Sequence, residues 1–352
     1  MKDPSDTTAS GRQVAACREK QPRLPPEGFL RALREVKRPF IVAHVTPDSD
    51  AIGAILALTA TFRAHDVEAT AGLPTASLAQ KLRFMLELAA DTPFADRWDP
   101  NGPHDALIVL DTANQKRINI TPAPDINGDL PVFNIDHHTT NTAFGRYNWV
   151  DGLASSTCEL VARLIAALGW TPSPNCASLL YAGIHGDTAG FSLSSSSAGA
   201  LQTAAGLLDA GADVALVGEA LCRSQSRSEF ELLRLVYDHT TVIDGGRIAY
   251  SHLSYQDISG AGCRPDDIDD QVSIPRSLKG VRIALLFTEG ERDVIRVNLR
   301  GEGKVTVVEL AKKLGGGGHS QAAGIRFHDK TMEEAIDLVC KEAVEHLKAF
   351  DE

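Results

Sequence analysis

The chain has 352 residues, 43% hydrophobic and 23% charged, the proportions of an ordinary globular protein long enough for two cores. Its formal net charge of -11 argues against a protein that tracks long nucleic acid, because phosphate neutralisation supplies most of that affinity and asks for a basic face. No apolar run approaches the ~18–20 residues that span a bilayer, and six cysteines without a CxxC pair favour neither a disulfide framework nor a zinc site.

Residues 1–24 are polar, mixed in charge and unlike a signal peptide, and read as a mobile tail. With the unpaired cysteines this gives a cytoplasmic protein that takes small or short phosphorylated ligands and no membrane. From Pro39 onward, short apolar runs alternate with amphipathic stretches. Strands are predicted at 40–43, 106–110 and 132–135, and helices at 51–62, 77–90, 157–168, 175–184 and 198–210. Apolar strands alternating with helices define an α/β domain over 25–221, built on a mostly parallel sheet flanked by helices. Residues 222–242 read as a linker and connecting helix. Beyond them, strands predicted at 247–253, 282–287 and 294–299 and a closing helix over 332–347 make a smaller α+β domain, 243–352.

Four acidic or histidine clusters fall at the ends of these elements, and ligands of such sheets bind at the carboxyl ends of the strands. The first is His44, Asp48 and Asp50, directly after the first strand, where Asp50 also suits a helix N-cap. Asp111 follows the second strand, a position where a lone Asp is often a turn residue. Asp136-His137-His138 follow the third. Asp187 closes the helical run after 175, with His185 beside it as a local hydrogen-bonding residue. Carboxylates brought to one sheet edge repel one another unless a cation joins them. Mixed Asp and His ligands without thiolate suit manganese, magnesium or a similar divalent ion.

In order, HVTPDSDAIG (44–53), LDT (110–112), IDHHTTN (135–141) and GIHGDT (183–188) resemble the motifs of the DHH phosphoesterase superfamily. GGGGHSQAAG (315–324) resembles the glycine-rich motif of the DHH-associated domain. The two-domain layout is most similar to the bifunctional oligoribonuclease and adenosine 3',5'-bisphosphate (pAp) phosphatase group. The resemblance implies two divalent ions, Mn2+ foremost with Mg2+ or Co2+ as substitutes, and a water activated between them for attack on phosphorus. His44 and Asp48 would hold one ion, Asp50, His137 and Asp187 the other, and Asp111 both. His138 would face the scissile phosphate, and Asp136 would orient His137. Ser156 and Glu159 match a capping box, and the helix N-terminus they open could also face phosphate. Arg276, Arg300, Gly316, Gly317, Gly318 and His319 match substrate-binding positions. Gly301 stands where a small hydroxyl residue is common, and Ala189-Gly190 stand where Asp-Thr-Gly would continue.

The expected substrates are short RNA, linear dinucleotides such as pApA and pGpG, and pAp, lying in the cleft between the domains. Long duplexes are not expected, and a homodimer fits the family. Rival functions on the same centre are a cyclic-dinucleotide phosphodiesterase and a RecJ-like exonuclease, and a nucleotide sensor is the non-enzyme alternative. A sensor has no need of a shared Asp111.

Overall fold

The computed structural model describes residues 24–75, 78–263 and 269–351. The expected tail lies, apart from Leu24, outside those residues. The chain divides into two compact units, 1–224 and 225–352.

The first unit is built on strands β1 (Pro39–Val42), β2 (Thr70–Gly72), β3 (Phe94–Ala95), β4 (Ala106–Leu110), β5 (Val132–Asp136) and β6 (Tyr147–Val150), in the order β3-β2-β1-β4-β5-β6. Every neighbouring pair is parallel. Strands β1 and β4 are apolar throughout because both sheet faces are covered. Phe40, Val42, Leu107 and Val109 pack with Trp98, Ile118 and Ile120 on one side. Ile41, Ile108 and Leu110 join the larger core on the other. Chain order reverses between β1 and β4, and such a switch point opens a crevice at the carboxyl ends of the two strands.

Helices α1 (Glu27–Arg34), α2 (Ser49–Arg63), α3 (Phe84–Leu88), α4 (Thr157–Ala167), α5 (Pro174–Asp187), α6 (Ala198–Asp209) and α7 (Val214–Cys222) complete this unit. The helix predicted over 77–90 is broken. Gln80–Leu82 form a single 3-10 turn before α3, and Leu78, Leu82 and Met85 each reach the core without one continuous helix. Helices α2 and α5 pack backbone to backbone. A Cβ on Gly53 would lie 2.5 Å from the Leu179 carbonyl oxygen, one on Gly183 would lie 2.9 Å from Asp50 Oδ1, and one on Gly186 would overlap Ser49 Oγ. Small residues at this contact draw the N-terminus of α2, with Asp50, against the C-terminus of α5, with Asp187.

The second unit begins with α8 (Arg227–Asp238), closed at its start by a Ser226–Glu229 capping box. It falls within 222–242, expected as a linker and connecting helix, and its Leu232 and Val236 are fully buried in this unit's core. Strands β7 (Thr241–Ile243), β8 (Ile248–Leu253), β9 (Ile283–Glu291), β10 (Val294–Gly301), β11 (Gly317–His319) and β12 (Ala322–Phe327) form a mixed sheet, β11-β12-β10-β9-β8-β7. Only β8 and β9 run parallel. Helices α9 (Tyr255–Ala261), α10 (Ser273–Arg276), α11 (Val308–Lys313) and α12 (Met332–Lys348) surround it. Alternation along β9 sends Ile283, Leu285 and Phe287 to α12 and Ala284 and Leu286 toward α8. Among the described residues no helix is long and apolar enough to cross a membrane.

Candidate active site

His44 and Asp111 follow the two strands that flank the switch point, and Asp136 ends the next strand in the sheet. Asp111 is 2% exposed and sits at φ +49°, a left-handed conformation that costs a non-glycine residue about 1–2 kcal/mol. The turn brings its carboxylate back over the strand end. His44 Nε2 lies 3.1 Å from Asp111 Oδ2, while His137 Nε2 lies 3.5 Å from Oδ1. The two oxygens of one carboxylate thus face histidines from different motifs.

Among the described residues three groups could each hold a cation: His44, Asp48 and Asp111; Asp50, His137 and Asp187; and Asp111, His137 and His138. Within each group the ligand atoms lie within 4.8 Å of one another. His137 Nε2 is 3.2 Å from Asp187 Oδ2. All six residues named as ligands from the sequence therefore meet at one place. The helix cap expected from Asp50 comes from Asp48, whose Oδ1 accepts from the amides of Asp50 and Ala51. Asp50 is fully buried and turns instead to α4, accepting from Thr157 N at 2.6 Å and Cys158 N at 2.8 Å. The helix N-terminus considered as a phosphate site is thereby taken by Asp50. Its cap is also simpler than expected. Ser156 Oγ accepts from Glu159 N, but the Glu159 carboxylate accepts from the amide and hydroxyl of Ser155.

Charge in this cluster is strongly unbalanced. Burial, and then the carboxylates of Asp50, Asp48 and Asp111, push Asp187 up to about 10. Burial and Asp111 likewise hold Asp50 well above the usual carboxylate range. Asp111 feels the same burial but is held low, because the hydrogen bond from His44 and the neighbouring imidazoles outweigh it. Such a set of acids is at ease only beside added positive charge, which a divalent ion supplies. Oxygen and imidazole donors without thiolate fit that ion.

The partner of Asp136 differs from expectation. Its Oδ1 lies 2.7 Å from His138 Nδ1 and also accepts the His138 amide at 3.2 Å, so it orients His138 and not His137. As the last residue of β5, Asp136 points across the turn to the residue two places on. Asn141 donates to Asp136 Oδ2 at 2.6 Å, to Asn134 Oδ1 at 2.8 Å and to the Thr112 carbonyl at 3.2 Å, locking the acid in place. Asn141, Asn134 and Thr157 were not singled out in the sequence. The Asn that closes IDHHTTN was a visible signal, whereas nothing local marks Thr157. His185 stands outside the three groups, with Nε2 3.9 Å from Cys222 Sγ.

In the second unit, β11 pairs His319 with Ala322, and β10 pairs Arg300 with the same Ala322. The two positions thus share one row across three strands. Arg300 is half-buried and donates to the Leu299 carbonyl, while Arg276 is ion-paired with Glu302. Gly316 to Gly318 are largely part of the edge strand and not an open loop. The Gly316 amide donates to the Ala311 carbonyl at 2.8 Å, and Gly318, at φ +146°, would bring a Cβ to 2.5 Å from the Ala322 carbonyl oxygen. The glycine at 301 has a similar cause, because a Cβ there would overlap the Val305 carbonyl oxygen.

A parallel sheet that gathers Asp and His from four motifs at its switch point defines a phosphoesterase centre built for divalent ions. The model of the DHH family, N-terminal domain, matches residues 38–184, and that of the DHHA1 domain matches 245–348. The chain belongs to the DHH family of phosphoesterases and carries a DHHA1 domain. It is 31% identical over 316 residues to the bifunctional oligoribonuclease and PAP phosphatase NrnA of Thermus thermophilus, covering 90% of this chain and 92% of that one. It is 29% identical to the protein of the same name from Mycoplasma genitalium, over 90% and 96% of the two chains. The crystal structure of an exopolyphosphatase-related protein from Bacteroides fragilis shares the fold at a TM-score of 0.80 and 27% identity, covering 93% and 98%.

Proposed function

We propose that this enzyme hydrolyses short oligoribonucleotides and linear dinucleotides such as pApA and pGpG to mononucleotides, and dephosphorylates pAp. The observation that carries the chemistry is the division of Asp111, one oxygen toward His44 and the other toward His137. This favours two ions sharing Asp111, one with His44 and Asp48, the other with Asp50, His137 and Asp187. Manganese is the ion of choice, with magnesium or cobalt as substitutes. When bound, such a pair polarises a phosphoryl group and activates a water.

His138 is the residue for the phosphate itself. Asp136 occupies its Nδ1, which leaves Nε2 directed outward on a side chain that is 40% exposed. The same hydrogen bond, foremost, raises its pKa, which favours a protonated ring. His138 Nε2 can then donate to a non-bridging oxygen or to the leaving oxygen as charge develops there. Arg300, His319 and Gly316 to Gly318 are the candidates for gripping the rest of the nucleotide, and the shared row of His319 and Arg300 supports them. Arg276 is the weaker candidate because Glu302 already pairs with it.

A reducing cytoplasm suits Cys158, Cys176 and Cys340, which are buried as thiols. Leu201 and Leu208, seven residues apart on α6 and about half exposed, offer an apolar stripe to a second copy in a homodimer.

The test is a panel of pAp, pApA, cyclic di-AMP and a ~20-mer RNA at matched concentration with manganese. Turnover concentrated on pAp and pApA supports the assignment. Preference for the cyclic dinucleotide or the long RNA replaces it with the corresponding rival.

A further inference from the structure

Helix α4 touches the proposed metal centre through its first two residues, Thr157 and Cys158. Thr157 is fully buried and makes two contacts with different carboxylates. Its amide donates to Asp50 Oδ2 at 2.6 Å, and its hydroxyl donates to Asp111 Oδ1 at 3.1 Å. The Cys158 amide completes the hold on Asp50 at Oδ1, 2.8 Å away. Asp111 Oδ2, on the far side, is reached by His44 and not by Thr157.

We infer that Thr157 is a positioning residue that sets the ligand geometry of one of the two ion sites, the one formed by Asp50, His137 and Asp187. The inference rests on the two-ion assignment proposed above. A carboxylate oxygen offers two lone pairs, and a hydroxyl donor on one of them fixes where the other points. For Asp111 Oδ1 the remaining direction is toward the His137-His138 turn, with His137 Nε2 and His138 Nδ1 each 3.5 Å away. The backbone amides meanwhile hold both Asp50 oxygens, fixing how that carboxylate faces the ion site. Thr157 therefore acts on two carboxylates of that site, Asp50 and the shared Asp111, and only distantly on His44 and Asp48. Its own geometry is fixed by the helix cap, in which Ser156 Oγ accepts from Glu159 N at 3.1 Å. Glu159 is anchored in turn by Ser155 and Arg163.

The test is a calorimetric titration of manganese into the metal-stripped full chain, comparing wild type, Thr157→Val and Thr157→Ser. Val keeps the shape and the amide but lacks the hydroxyl. Thr157→Ala serves the same comparison if Val does not fold. Wild type should bind two equivalents. In Thr157→Val one equivalent should weaken by about 10–100-fold, the usual effect of losing an outer hydrogen bond to a ligand, while the other is unchanged. Serine should restore it. A hydroxyl needed only for folding would instead lower the metal-free melting temperature and leave both affinities alone. Two wild-type affinities in Thr157→Val would overturn the inference while leaving the two-ion assignment standing. A wild type that binds no manganese would remove both.

Discussion

Asp136 Oδ1 stands 2.7 Å from Nδ1 of His138, and Asn141 holds the other Asp136 oxygen at 2.6 Å. The acid is fully buried and the imidazole is not, so the pair is a fixed base carrying a reachable ring. His138→Ala is expected to lower kcat on pApA by about 10²–10⁴-fold, the range for a lost general acid. Asp136→Asn should cost about 10–100-fold, as for other residues that orient a reacting ring. Both variants should keep the rise in melting temperature that manganese gives wild type, which differential scanning calorimetry would read.

Gly183 carries no side chain because α5 meets α4 and the start of α2 there. A Cβ would overlap Cys158 Sγ and lie 2.9 Å from Asp50 Oδ1. Gly183→Ala should destabilise the fold by about 1–3 kcal/mol, the usual range for overpacking. Urea denaturation would show this as a lower midpoint. Asp50 sits on the same contact, so manganese affinity should fall as well.

Ala189 follows Asp187 by two residues and adopts φ +45°, where alanine is strained and glycine is not. Ala189→Gly is expected to raise stability by about 1 kcal/mol or slightly less. Activity should be retained, because the Thr188 side chain, bonded to the Ile184 carbonyl at 2.6 Å, already fixes the turn behind Asp187. An unchanged urea midpoint would contradict this account of the turn.

Much of this site was legible in the sequence because its logic is topological. His44, Asp111 and Asp136-His137-His138 each follow an apolar strand, and parallel strands deliver their ends to one edge. Strands β2 and β6 were not legible, since Thr70-Ala-Gly72 and Tyr147-Asn-Trp-Val150 lack an apolar run, and only sheet pairing makes them strands. The direction of a carboxylate was equally hidden. Spacing alone does not say whether Asp136 turns to His137 or to His138, nor that Asp50 turns to an α4 about a hundred residues further along the chain. The packing role of the glycines was hidden for a related reason. Gly301 and Gly316 are required by carbonyl oxygens of neighbouring segments, which only the folded sheet brings near.

His252 gives the second unit a pH limit. Its ring stacks on His239 with centroids 4.7 Å apart, and its Nδ1 is buried without a hydrogen bond. Burial, then the neighbouring His239, lower its pKa below 6.5, and Asp257 offsets this only in part. The folded state thus prefers the neutral ring. As pH falls through 6.5, the unfolded chain takes up a proton that the folded chain refuses, and stability is lost toward the lowered folded value. In EDTA, the melting temperature should drop between pH 7.5 and pH 5.5, and His252→Gln should reduce that drop. An equal drop in the variant would contradict the assignment.

The most direct test of the metal centre is release of AMP from pApA as manganese is added, in wild type and in Asp111→Ala. Asp111 is the residue that both proposed ion sites share. Manganese-dependent turnover in wild type, and its loss by at least about 10³-fold in Asp111→Ala, is the predicted result. Equal turnover by the two proteins would contradict a two-ion centre built on Asp111.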